Sequence, residues 1–182
     1  MEYGFSCMGY EIGGSMGVKM AEPDVEEYTV VGDAGFQMLS SELGTIMQER
    51  IKTNILVFDN CGFGCINNLE MTHGIGSLAT EFRYTDGLKP TGNLIPMDYT
   101  KIGEAYGMKT YACRSAQELR DAILDSRKQT LPCLFDLKIV PKTMTDGYDA
   151  WWNVGMAMES KSESVREAAD EVLKYRAEAR KY

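Results

Sequence analysis

The stretch from Glu27 to Gly64 constrains the fold of this 182-residue chain more than any other. It opens on a β-prone run, EYTVV, that ends at Gly32-Asp33-Ala34-Gly35. Phe36, Leu39, Leu43, Ile46 and Met47 then recur at the spacing of one helical face. A second run, NILVF, ends at Asp59-Asn60 and is followed by the tight turn Cys61-Gly62-Phe63-Gly64. Strand, helix and strand in that order make a βαβ unit, with parallel strands and a right-handed crossover. Both polar clusters therefore fall at the carboxyl ends of strands, where open α/β sheets bind ligands.

The same alternation resumes downstream. Strands are expected near 27–31, 54–59, 108–112 and 132–140, each separated by helical material. DYTKIGEAYG reads as a short helix stopped by Gly107, and SAQELRDAILDSRKQ as a helix with a Ser115–Glu118 capping box. The expected fold is α/β, a mostly parallel sheet flanked by helices. Residues 4–20 read as a helix punctuated by Gly4, Gly9, Gly13, Gly14 and Gly17, small enough on one side to lie close to a neighbour. CINNLEMTHGIGSL reads as a further helix with Ile66 and Leu69 inward, and residues 79–97 as a loop of functional length. Near the end, Val165, Ala168, Ala169, Val172 and Leu173 form the apolar stripe of an amphipathic helix. The division expected is a domain over 1–157, with the helix of 158–182 packed on it.

At the strand ends, Asp33 offers a carboxylate oxygen and Asn60 an amide oxygen. Both are hard donors suited to Mg²⁺, which keeps few protein ligands and takes the rest from phosphate and water. Glycines beside each donor let backbone N–H groups approach phosphate oxygens, and a helix starting near 34–36 turns its positive end to the same place. Such a site holds a diphosphate almost without basic side chains. Taken alone, Gly-Asp-x-Gly reads more readily as a helix cap between turns. The second cluster is what argues for a metal, with residues 35–58, or 24 positions, between Ala34 and Asp59.

The net charge of −8 argues against a nucleic-acid surface, which needs clustered Lys and Arg. It also repels an anionic ligand at long range, so a local metal and helix dipole are required. No run is apolar enough to span a membrane and no leader pattern opens the chain. The five cysteines lack metal or disulfide spacing and read as reduced thiols of a cytosolic protein.

The paired clusters resemble the signature of thiamine-diphosphate-dependent enzymes, a Gly-Asp-Gly followed some two dozen residues later by Asn-Asn. This chain departs from it twice: Ala34 stands at the third glycine and Asp59 at the first asparagine. GFSCMGYEIGGSMG is similar to the Gly-rich run of the acetohydroxyacid synthase-like branch. Together with GFGCINNLE and the WWNVG tract, it resembles the members that open a cyclic 1,2-diketone in inositol catabolism, over essentially the whole chain. The resemblance implies a pyrophosphate-domain fold binding thiamine diphosphate and Mg²⁺. Its metal ligands would be Asp33, Asn60 and the backbone carbonyl of Gly62. The cofactor contacts it implies are Ser6, Met8, Gly32, Asp33, Ala34, Gly35, Asn60, Gly62, Phe63 and Gly64. Met8 would prop the bent cofactor, and the Ser6 carbonyl would take a hydrogen bond from its exocyclic amine.

The resemblance further implies a small-molecule substrate and a homo-oligomer. The catalytic glutamate belongs to a pyrimidine-binding domain of the same polypeptide or another subunit, so this chain reads as the C-terminal module of a longer one. Within it the single histidine, His73, is the candidate proton shuttle. Arg83 and Lys89 are the nearest positive charges for a polar substrate. Trp151 and Trp152 read as an anchor for the tail or as the roof of a site. A decarboxylase or carboligase and a non-catalytic phosphate-binding module are the alternative functions.

Overall fold

Two runs, NILVFD and CLFDLK, are almost wholly buried and form the centre of a parallel sheet. The computed structural model describes residues 7–142 and 155–179, so Ser6, Trp151 and Trp152 lie outside the described residues. The strands are β1 (Tyr28–Gly32), β2 (Asn54–Asp59), β3 (Lys109–Cys113) and β4 (Cys133–Lys138). Their order is β1-β2-β4-β3, all parallel. The chain therefore leaves β2, makes β3 at the far edge, and returns to insert β4 between them. The central strands are continuous apolar runs because helices cover both faces, whereas the edge strand β1 alternates in exposure and the edge strand β3 is only partly buried along most of its length.

The chain divides into two compact units, one of Met1–Phe63 with Ile95–Val140 and one of Gly64–Leu94 with Pro141–Tyr182. In the first, α1 (Tyr10–Ala21), α2 (Asp33–Leu39), α3 (Glu42–Gln48) and α5 (Tyr99–Ala105) share one face of the sheet. Ile12, Phe36, Leu43, Ile46 and Tyr99 meet Val31, Ile55, Val57 and Leu134 there. Helix α6 (Ala116–Ser126) covers the other face, with Ala122 against Leu56, Phe135 and Leu137. Alternate residues of β2 and β4 thus feed opposite cores, as the two-residue period of a strand requires. Ser115 caps α6 by accepting from the Glu118 N–H at 3.2 Å, and Glu118 reaches back to the Arg114 N–H. Gly107, at φ +82, ends α5.

Three elements differ from the sequence reading. The helix expected to follow the first cluster is two helices, parted at Ser40-Ser41, where α3 restarts with Leu43 N–H donating to Ser40 O and Gly44 N–H to Ser41 O. The helix expected over 4–20 begins at Tyr10, and its close approach is made by Gly9 rather than by Gly13 or Gly17, which have open space beside them. Helix α4 (Gly64–Thr72) is rotated from expectation, with Ile66 exposed and Asn67 buried. The Asn67 amide is satisfied by the hydroxyls of Ser77 and Thr80, which makes its burial affordable.

In the second unit the region read as a loop carries antiparallel bridges Arg83↔Leu94 and Asp86↔Lys89. Helix α7 (Glu163–Glu178) turns Ala169 inward, while Leu173 is exposed. Its start meets α4's end: the Ser164 hydroxyl donates to Gly74 O at 2.6 Å, and a Cβ on Gly74 would lie 2.1 Å from Ser164 O. Glu81 ties this unit together, with Arg83 at 2.9 Å and Lys142 at 3.3 Å.

The hydrogen bond from Arg83 chiefly, against the opposing effect of burial, lowers the Glu81 pKa from 4.5 to about 2. A lowered carboxyl stabilises the fold above its unfolded pKa and loses that contribution as pH falls toward the folded one. Glu81→Gln is therefore expected to lower the denaturant midpoint at pH 7, with the gap to wild type narrowing as pH falls from 4.5 toward about 2. A gap independent of pH would show that the ion pairs contribute nothing.

Candidate functional site

The register of the sheet brings particular strand tips together. Gly32 is the partner of Phe58, Asp59 of Lys138, and Cys113 of Leu137. One residue further along β1 and β3 come Asp33 and Arg114, so the carboxyl edge carries Asp33, Asp59, Lys138 and Arg114 in that order. The two acids come from one βαβ unit and the two bases from the other half of the sheet.

Asp33, at 0% exposure, is the first residue of α2. Its Oδ1 accepts the Ala34 N–H at 2.8 Å, and its Oδ2 accepts the Gly62 N–H at 2.9 Å. That second bond is possible because Cys61 adopts φ +62 and Gly62 φ +152, turning the chain sharply after β2. A cysteine in the left-handed region costs about 1–2 kcal/mol, strain of the kind that accumulates at functional sites. Ala34 lies in the helix and is absent from the residues with positive φ, so an alanine fits where the signature has glycine.

The same turn gathers oxygen atoms. One atom of the Asn60 amide lies 2.8 Å from Gly62 O and 3.3 Å from Asp33 Oδ1. If that atom is nitrogen, it donates to both. If it is oxygen, three oxygens face one another, an arrangement that repels unless a cation lies between them. Ligands at the Mg²⁺–O distance of 2.0–2.1 Å stand about 3 Å apart along the edge of an octahedron, and these spacings match that edge. A carboxylate, an amide oxygen and a carbonyl make a hard donor set suited to Mg²⁺ rather than zinc. Among the described residues no group of three or more His, Cys, Asp and Glu side chains offers another metal site.

Electrostatics point the same way. Burial above all, with the hydrogen-bonding Asp59 carboxyl beside it, raises Asp33 to about 7. Burial opposes the charge of Asp59 too, but Lys138, Asp33 and the Cys61 N–H outweigh it and hold that carboxyl below its ordinary value. The pair thus holds more negative charge than its surroundings neutralise, and a proton or a cation completes it. Burial and the charges of Asp59 and Asp33 push the Cys61 thiol up to about 11, so it is no thiolate nucleophile.

The other expected site residues fall as follows. Gly32 caps α2 in extended conformation, and Gly35 and Phe63 lie in the same unit as Asp33. Gly64 opens α4, and His73 lies beyond its end, both in the second unit. Met8 is 43% exposed beside the start of α1. The sequence reading did not pick out Lys138, Asp136 or Tyr99. Lys138 Nζ pairs with Asp59 and with Asp136 Oδ1 at 2.9 Å, and the Tyr99 N–H donates to Asp136 Oδ2 at 3.3 Å. The signal was two charged residues inside the otherwise apolar run CLFDLK.

Residues 1–137 match the family described as thiamine pyrophosphate enzyme, C-terminal TPP binding domain. The chain belongs to this family. It is 56% identical over 183 residues to a 3D-(3,5/4)-trihydroxycyclohexane-1,2-dione hydrolase of Clostridium perfringens, and 50% identical over 184 residues to one of Bacillus cereus. Both alignments take in all of this chain and 29% of the relative, so the chain spans under a third of those proteins. A Geobacillus thermodenitrificans enzyme of the same name is 55% identical over 92% of this chain and 27% of its own. The solved thiamine diphosphate-dependent 4-hydroxybenzoylformate decarboxylase of Rhodococcus jostii superposes with a TM-score of 0.62 over 75% of this chain and 24% of its own. At 19% identity that likeness shows the fold alone: this TPP-binding domain is a parallel sheet with flanking helices. No helix among the described residues is long and apolar enough to cross a membrane.

Within the TPP-binding domain, the seat of the site depends on one contact between glycines. Gly9 sits at φ +88, and a Cβ there would stand 3.0 Å from Gly35 O, in the first turn of α2. Gly9→Ala is expected to destabilise the protein by about 1–2 kcal/mol from backbone strain alone, and more from displacing α2. The check is a denaturation midpoint, alongside Gly13→Ala, which meets nothing within 4 Å and is expected to leave stability unharmed.

Proposed function

We propose that this domain holds the diphosphate end of thiamine diphosphate through Mg²⁺, in a hydrolase that opens trihydroxycyclohexane-1,2-dione. The observation that carries the cofactor reading is the Asn60 amide standing 2.8 Å from Gly62 O and 3.3 Å from Asp33 Oδ1. As ligands, these three would hold Mg²⁺ and leave its remaining positions to diphosphate oxygens and water. The substrate reading comes from the relatives, which carry that hydrolase name and match this chain from end to end.

In this arrangement the N–H groups of Ala34 and Gly62 hold the Asp33 carboxylate in one rotamer, so the ligand is oriented before the cation arrives. Asn60 brings charge-free coordination, keeping the total at the site low enough to admit an anionic cofactor. Backbone groups of Gly32, Gly35 and Phe63 line the approach for the diphosphate, and Met8 props the cofactor. When bound, the cofactor supplies an electron sink for cleavage of a carbon–carbon bond. A glutamate on a pyrimidine-binding domain completes the centre, in a cytoplasmic homo-oligomer. The reading as a degenerate phosphate binder loses its two motifs, because Ala34 fits its helix and Asp59 is charge-paired.

Asp33→Ala and Asn60→Ala are each expected to weaken Mg²⁺-dependent binding of thiamine diphosphate on the order of 100-fold, measured by calorimetry on the full-length protein. Equal binding with and without Mg²⁺ in the wild type overturns the assignment. Turnover assays separate the activities: the full-length protein is expected to consume the cyclic diketone and not pyruvate. The 182-residue chain alone is expected to turn over neither. Pyruvate decarboxylation would favour the carboligase branch.

A further inference from the structure

Asp59 places a second buried carboxylate beside the ligand Asp33, and a second negative charge there opposes entry of an anionic metal–diphosphate complex. We propose that Lys138 is a positioning residue for the cation site, cancelling the charge of Asp59 and holding that carboxylate off the cation. This rests on the reading of Asp33, Asn60 and Gly62 as the cation's ligands.

The contacts are specific. Asp59 and Lys138 are partners in the β2–β4 ladder, so their side chains leave the sheet side by side at its carboxyl edge. Asp59 Oδ2 takes the Lys138 ammonium and Asp59 Oδ1 takes the Cys61 N–H at 3.0 Å, so each oxygen has its own donor beside the neighbouring Asp33. The ammonium is held in turn: it donates to Asp59 and to Met97 O, and it lies 2.9 Å from Asp136 Oδ1 as an ion pair. It also lies 5.2 Å from the centre of the Tyr99 ring. A lysine held between these oxygens is turned to Asp59 and not to the diphosphate. It works through Asp59, and the lysine–aspartate pair takes the place of the neutral asparagine that the signature has at position 59. Arg114, 3.9 Å from Asp136 Oδ2, shares the neutralisation of Asp136 but not of Asp59.

The test is a double-mutant cycle in the full-length protein, read by calorimetric titration of thiamine diphosphate with and without Mg²⁺. Lys138→Met is expected to weaken Mg²⁺-dependent binding about tenfold or more, Asp59→Asn alone by less than about threefold, and the double variant to return to within about threefold of wild type. Denaturation of the same four proteins without cofactor or metal reads the structural part separately. Lys138→Met combined with Asp136→Asn is the control, and Lys138→Gln replaces Lys138→Met if that variant does not fold. A binding loss that persists in the Asp59→Asn background, or that Asp136→Asn repairs instead, overturns the proposal while leaving the cofactor reading intact. Mg²⁺-independent binding in the wild type overturns both.

Discussion

Negative charge buried at the tips of parallel strands is the constraint around which the TPP-binding domain is arranged. Asp33, Asp59 and Asp136 are all nearly inaccessible to water: Asp33 follows β1, Asp59 ends β2, and Asp136 lies two residues before the end of β4. Unpaired buried carboxylates are costly, so each must find a donor or a cation. Backbone N–H groups of Ala34, Cys61, Gly62 and Tyr99 supply part of this, and Lys138 sits between the second and third acids. What remains falls on Asp33, beside the Asn60 amide and Gly62 carbonyl.

The backbone around this charge is shaped to suit it. The left-handed Cys61 and Gly62, at a positive φ that glycine takes most readily, shape the turn after β2 so that Asp33 gains a hydrogen bond from the Gly62 N–H. The Gly9–Gly35 approach sets the start of α1 against the start of α2 with no side chain between. Behind these, the core on the same face is dense with Ile12, Phe36, Leu43 and Ile46, which fixes the helices and through them the turns.

Much of this was legible in the residues. The β2 run NILVFD appears with the bounds that its β-branched and aromatic composition suggested, and the other three strands shift by one or two residues. The Ser115 cap follows from local chemistry and is observed as such. Asp33 and Asn60 stood out as hard oxygen donors beside glycines at strand ends, and the Asn60 amide lies 3.3 Å from Asp33 Oδ1. Local signals misled where distant residues decided. The break at Ser40-Ser41 and the burial of Asn67 rather than Ile66 depend on which surface each helix meets, and the apolar period does not say which.

The sequence by itself determined the alternation of strands and helices, and with it the delivery of Asp33 and Asn60 to strand ends, because period and turn chemistry act over a few residues. Only the tertiary structure decided that β4 lies beside β2. The order β1-β2-β4-β3 arises from burying the two most apolar runs at the centre, a choice made by the whole sheet at once. That placement brings Lys138 to Asp59, 79 residues away along the chain. No local pattern carries such a pairing, because a ladder register is set by the combined packing of both faces and not by either partner's neighbours.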